Sequence, residues 1–360
     1  MKILLVVSDI ALWGGVNRVV ANLANALSGQ NIRVDVLSIF KNNQSSPFNM
    51  RENIDLIFLH NEDQQSFHRH RKSKNIFKSF YTKSIQKRLD DMKIKKIAND
   101  YDIAIFNNYF LYNPYFKNKK TRYVKILHGQ FSNYTSKDLN RDKFFDTIIL
   151  LSGKQINDFQ KYFKNIKIIP NFINMPLDIA DRNQKIVLSV GRMSKDNQKG
   201  FLRLIDIWEI IQKNPKNKDW KLKIVGEGEL QEKIINKIKD KNLENSIIIK
   251  PFTKEIDKEY LNATIYVMTS HFEGFPMVLL ESSSYGLPLV AFDINTGPSD
   301  IIEDGKNGFL IKDNDLQEFS NKLQILIDSK KLRKEMGVMA KKITSEKFSK
   351  EVVIKEWINL

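Results

Sequence analysis

The sequence predicts an α/β protein built from two doubly wound, parallel-sheet, Rossmann-like domains facing a central cleft. Three observations carry this expectation. Short apolar runs alternate with amphipathic helical patterns, the mark of βα units. The alternation passes once through the first half of the chain and restarts near Lys185. The chain has 360 residues, and at roughly 150 residues per domain that length suits two separate cores. Ligands of such sheets bind outside the carboxyl ends of the strands, so function is expected between the halves.

In order, Ile3 to Ser8 reads as a strand and Val16 to Ser28 as a helix, with Val16, Val19, Val20, Leu23 and Leu27 on one face and Gly29 as its stop. Strands follow at Ile32 to Phe40, Asn53 to Leu59, Asp102 to Phe106, Arg122 to Leu127 and Thr147 to Leu151, with Lys167 to Ile169 closing the series. Pro170 to Pro176 is the expected linker. The second series places strands at Lys185 to Val190, Lys221 to Val225, Ser246 to Lys250, Thr264 to Thr269 and Leu287 to Phe292. Helices between them begin near Phe201, Glu229, Lys254 and Pro276. An amphipathic helix runs from Leu316, and another closes the chain from Phe348 to Leu360.

Composition narrows the chemistry. With 58 Lys and Arg against 42 Asp and Glu, the net charge is +16, which favours polyanionic or phosphate-bearing partners. There is no Cys, so disulfides, thiolate nucleophiles and Cys-ligated metals are excluded. The apolar run Ile3 to Val7 is too short for a signal-peptide core, and no stretch reaches the roughly 20 apolar residues of a membrane span. A cytoplasmic protein that does not cross a membrane is expected. Arg69, Arg71, Lys72, Lys74, Lys78, Lys83, Lys87 and Arg88 occur without an intervening acid and alternate with Phe77, Phe80, Tyr81 and Ile85 at helical spacing. That pattern suits docking on anionic lipid, and equally a solvated helix packing on its own domain. No zinc finger or aromatic RNA-binding motif accompanies it, so nucleic acid is not an expected partner.

Three motifs carry candidate chemistry. Gly14 and Gly15 lie between the first strand and the first helix, where a phosphate could approach backbone amides at a helix start. A tight turn explains them equally well, and the dinucleotide fingerprint is absent. Gly191-Arg192 leaves a strand and Lys199-Gly200 enters a helix, so a guanidinium and an ammonium could clamp one pyrophosphate. Two ordinary surface cations are the plainer reading. The third motif runs from Thr269 to Glu281, with Glu273 in a Gly-Phe-Pro turn and Glu281 inside the following helix. Eight helical residues span about 12 Å, against roughly 5 to 9.5 Å for paired glycosidase carboxylates. Two separate hydrogen-bonding tasks on an elongated ligand fit better than one shared bond cleavage. Asp313-Asn314-Asp315 reads as a helix start, not a metal site.

Taken together, Gly14-Gly15, Ile169-Pro170-Asn171, Gly191-Arg192 with Lys199-Gly200, Val225-Gly226-Glu227-Gly228, and Glu273 with Glu281 around Gly-Phe-Pro resemble glycosyltransferase family 4. The resemblance spans nearly the whole chain, is strong over residues 185–311 and weak over residues 40–120. It implies the GT-B fold, with residues 1–174 as an acceptor-binding domain, residues 175–345 as a nucleotide-sugar-binding domain, and a helix over 346–360 packing back onto the first. It further implies that Arg192 and Lys199 hold the donor diphosphate with help from Gly15, and that Glu281 binds ribose hydroxyls. Glu273, Gly274, Phe275, Met277 and Val278 would meet the sugar and phosphate, and His128 would stand near the transferred sugar. The segment Phe292 to Ile302 looks like that of enzymes building bacterial surface polysaccharides from UDP-hexoses.

The chain departs from the family pattern twice: its loop from Arg192 to Lys199 is longer, so that Lys195 could substitute for Lys199, and Asp300 stands where Glu is frequent. The implied activity is transfer of a hexose (glucose, galactose or an N-acetylhexosamine) from a UDP-sugar, with retention and without metal or other cofactor. The implied acceptor is a lipid-linked, lipopolysaccharide or capsule-type glycan at the inner membrane face. A GT-B sugar-nucleotide epimerase, or a non-catalytic module binding anionic membrane or nucleic acid, is the alternative.

Overall fold

The structure, a computed structural model, describes residues 1–42, 46–71, 85–107 and 116–360. The chain divides into two compact units, Met1–Ile169 with Ile354–Leu360, and Pro170–Val353.

Unit 1 is organised by β1 (Lys2–Val7), whose apolar run is buried from Ile3 onward. It pairs in parallel with β2 (Arg33–Ser38) on one side and β4 (Ile103–Phe106) on the other, placing Ile3 opposite Val34 and Ile103. With β3 (Leu56–Phe58), β5 (Arg122–Leu127), β6 (Thr147–Leu150) and β7 (Ile166–Ile168), the described strands form a parallel sheet of order β3-β2-β1-β4-β5-β6-β7. Helix α1 (Gly15–Ser28) buries Val20, Leu23, Ala24 and Leu27. The chain continues through α2 (Gln64–Arg71), α3 (Gln86–Ala98), α4 (Ser136–Asp142) and α5 (Ile156–Gln160). Its last residues belong here too, because Lys167 donates to the Asn359 carbonyl at 3.2 Å and Arg122 donates to that of Leu360.

Unit 2 repeats the plan. Strands β8 (Ile186–Val190), β9 (Lys221–Val225), β10 (Ile247–Lys250), β11 (Ile265–Met268), β12 (Leu289–Asp293) and β13 (Gly308–Lys312) form a parallel sheet of order β10-β9-β8-β11-β12-β13. Its helices are α6 (Phe201–Gln212), α7 (Gln231–Asp240), α8 (Ile256–Leu261), α9 (Met277–Ser284), α10 (Pro298–Ile301), α11 (Leu316–Asp328), α12 (Lys330–Phe348) and α13 (Lys350–Ile358), the last running on into the unit 1 residues. Phe201, Leu204, Trp208 and Phe319 lie in one apolar core with Leu222, Val267 and Phe292 of the sheet.

In each sheet the strand order reverses once, between β1 and β4 and between β8 and β11, and such a reversal opens a crevice at the strand carboxyl ends. Two departures from expectation lie close to the candidate loops or at the sheet edge. Strand β13 was not anticipated, because GFLIK is a short edge strand with two of its residues only half-buried. Pro276 was expected as the first helical residue but sits just before α9 as its cap, with ψ at 93°. The basic helix expected over Arg69 to Arg88 is represented by the end of α2 and the start of α3.

Candidate active site

The crevice of unit 2 is built by two loops that bind each other, one after β8 and one after β11. The Gly191 backbone allows close approach: a Cβ there would meet the Lys199 stem at 2.7 Å, so Lys199 packs against the residue beside Arg192. The Lys199 ammonium sits 2.7 Å from Glu273 Oε1, and the Ser270 hydroxyl donates to the same oxygen at 2.7 Å. Gly200 holds φ +66°, and a Cβ on it would stand 1.8 Å from the Thr269 carbonyl oxygen; only glycine lets the start of α6 reach that loop. Gln198 Nε2 donates to the Phe272 carbonyl at 3.1 Å, and the His271 amide donates to that of Gln198 at 2.8 Å. Arg192 is exposed and has no ion pair among the described residues.

Behind these loops the polar groups are buried. Arg203 on α6 donates to the Thr269 and Ser270 carbonyls at 2.7 and 2.5 Å, pairs with Asp313 at 2.8 Å and stacks on Phe292. It fixes the backbone that presents Glu273. Asp315, the other acid of that triplet, caps α11 by accepting from the Glu318 amide at 2.9 Å. Glu281, 4% exposed, accepts from the Tyr260 hydroxyl at 2.8 Å. Burial first, and then the charges of Glu281 and Glu273, push the Tyr266 hydroxyl's pKa up. Phe275 is buried against Phe348, while Met277 and Val278 open α9, where amides lack intrahelical acceptors.

The crevice of unit 1 holds a cavity of about 530 Å³ whose lining includes Asp9, Leu12, Val16, Asn107 and His128. Gly14 and Gly15 start α1 beside it, and a Cβ on either would meet nothing within 4 Å. Packing therefore does not require these glycines, and the space over them is open. His128 directly follows β5, and burial lowers its pKa to about 4, so it is neutral at pH 7. The Asn107 amide nitrogen faces the Val6 and Ile105 carbonyls, leaving its oxygen 3.3 Å from His128 Nε2. Nε2 thus carries the proton and Nδ1 is an acceptor. Asp9, 2% exposed, accepts from the Ala11 amide at 3.0 Å; burial nonetheless raises its pKa, with Asp63 adding to the rise.

A family model described as glycosyl transferases group 1 matches residues 178–343. A relative from Haemophilus influenzae, named only as an uncharacterized glycosyltransferase, is 30% identical over 368 residues, covering 99% of this chain and 98% of its own. The chain is a glycosyltransferase. The amylovoran biosynthesis glycosyltransferase AmsD of Erwinia amylovora is likewise 30% identical, over 99% of this chain and 98% of its own. Among solved structures, a mutant of S. aureus TarM in complex with fondaparinux, α-GlcNAc-glycerol and UDP matches with a TM-score of 0.78 over 99% of both chains, at 20% identity. This glycosyltransferase has the same GT-B fold of two parallel-sheet, Rossmann-like domains.

The sequence candidates fall into two groups in the glycosyltransferase. Arg192, Lys199, Glu273, Gly274, Phe275, Met277, Val278 and Glu281 belong to unit 2, and Gly14, Gly15 and His128 to unit 1. Of the expected docking cations, Arg69 and Arg71 fall in α2, Lys87 and an exposed Arg88 in α3, while Lys72, Lys74, Lys78 and Lys83 lie outside the described residues. Sequence reasoning passed over Asp9, Arg203 and Tyr260. Asp9 stands two residues past an apolar strand, a position that could have flagged it; Arg203 stands among the apolar positions of its helix, a trace of its burial.

Proposed function

We propose that the protein is a retaining family 4 glycosyltransferase that moves a hexose from a UDP-sugar, without a metal, to a bacterial surface glycan. One observation carries the reading: Arg192, Lys199, Glu273 and the start of α9 gather in the unit 2 crevice, with Glu281 buried behind them. The UDP in the TarM complex and the amylovoran role of AmsD support the donor and acceptor classes.

The chemistry follows from charge. As the bond between the anomeric carbon and the phosphate oxygen breaks, its electron pair goes to the diphosphate. The Arg192 fork, the Lys199 ammonium and the α9 amides would stabilise that charge without reorganising. The acceptor hydroxyl oxygen bonds to the anomeric carbon on the same face, and its proton passes to the departing phosphate oxygen. Lys199 holds the Glu273 carboxylate until phosphate takes its place, which frees Glu273 to turn to sugar hydroxyls. Neutral His128 would offer a hydrogen-bond acceptor beside the sugar without adding charge.

The acceptor would be met at a membrane surface. Helix α3 and its cap expose Ile85, Leu89 and Met92 at helical spacing, flanked by exposed Arg88, Lys93 and Lys96, while Asp90 and Asp91 are buried. Such a face suits anionic lipid.

The test is turnover in EDTA with UDP-glucose, UDP-galactose and UDP-N-acetylglucosamine, using bacterial glycolipid extracts as acceptors and NMR to read the anomeric configuration. One donor should react strongly and give an α-linked product. A β-linked product, or a strict need for divalent metal, would contradict the reading.

A further inference from the structure

We propose that Asp9 makes the unit 1 cavity selective for an uncharged, hydroxyl-bearing end of the acceptor, receiving the hydrogen of one acceptor hydroxyl and turning away anionic sugars. The proposal rests on the glycosyltransferase reading for what enters the cavity, and on the cavity itself for its selectivity.

The first observation is a contrast of charge. The chain carries a net charge of +16, yet among the described residues lining this cavity there is no Lys and no Arg. The second observation is what stands there instead. Asp9 is 2% exposed, stands two residues past the end of β1 where the strand order reverses, and lines the cavity with His128. The backbone amides of Ala11 and Asn42 offset part of the cost of burial, which still leaves its pKa raised, and in its carboxylate form it has hydrogen-bonding capacity left for a ligand. An anion held in place beside the cavity repels a second anion and accepts hydrogens from hydroxyls. The third observation is the histidine. Its Nε2 faces Asn107, so it too presents an acceptor, Nδ1, and no positive charge that could offset Asp9. Leu12, Val16 and Ile126 add apolar surface among the polar Ser8, Asn17, Gln64 and Asn133, as suits a sugar ring with both carbon faces and hydroxyls.

Saturation-transfer NMR on the full-length protein gives the test without any donor. The probes are methyl glucoside and methyl galactoside, each against its uronic acid counterpart, with wild type and Asp9→Asn. The asparagine keeps an oxygen for the Ala11 amide, and melting curves with and without UDP check its fold and its donor site separately. We expect the neutral glycosides to bind wild type at least tenfold more strongly than the uronates, and Asp9→Asn to narrow that ratio to threefold or less. Equal binding of both classes to wild type, an unchanged ratio in Asp9→Asn, or binding of neither class would each overturn the proposal. A lost UDP shift with the sugar selectivity intact would instead fault the donor reading.

Discussion

At the scale of single residues, the chemistry turns on groups whose surroundings decide their charge. Burial lowers the His128 pKa from an ordinary 6.5 to about 4, so between those values the unfolded chain binds a proton that the folded chain does not. Stability from this group is therefore complete above pH 6.5 and is lost as pH falls toward 4, by no more than about 3 kcal/mol. Denaturant midpoints across that window should fall less steeply in His128→Gln than in wild type; identical slopes would contradict a neutral, half-buried imidazole. Candidates marked by their position in the chain are legible in the sequence: Arg192, Lys199 and Glu273 follow strand ends or precede helices. Arg203 and Tyr260 make their contacts across the fold, which spacing does not encode. Arg203 binds the Thr269 and Ser270 carbonyls from 66 and 67 residues away.

At the scale of elements, a strongly periodic or fully apolar run predicts its own structure, and a weak one is decided by its neighbours. The reading of β5 and β9 coincides with the structure, because each is a continuous run in the middle of a sheet. Strand β13 escapes it, since an edge strand needs only one buried face and takes its register from β12, with Gly308 against Leu289. Helix α12 was also missed: its buried Met336, Ala340 and Ile343 are diluted by charged residues over 19 positions. Helix α3 shows the converse case, an apolar stripe that the fold leaves exposed. Leu89→Asp combined with Met92→Asp should lower binding to phosphatidylglycerol vesicles by about tenfold, while the melting temperature stays near that of wild type, as surface changes allow. Unchanged co-sedimentation of the double variant would remove α3 from the docking face.

For the whole molecule, two copies of one βα plan give two crevices of opposite character. In unit 2 Lys199 pairs with Glu273 ahead of α9 while an exposed Arg192 follows β8, whereas the unit 1 cavity is lined by a buried carboxylate and a neutral imidazole. This division suits a charged donor on one unit and an uncharged acceptor end on the other, and it arises from the loops after the central strands, not from the sheets themselves. Among the described residues no helix is long and apolar enough to cross a membrane. The central claim is that the unit 2 crevice binds a uridine diphosphate through Arg192 and Lys199 without metal. Its most direct test is the melting temperature of wild type and Arg192→Ala with UDP, GDP and ADP in EDTA. At a hundredfold excess over the dissociation constant a bound nucleotide adds about 2.7 kcal/mol, so an upward shift is predicted for wild type with UDP alone, abolished in the variant. An equal shift with all three nucleotides, or a UDP shift that survives in Arg192→Ala, would contradict it.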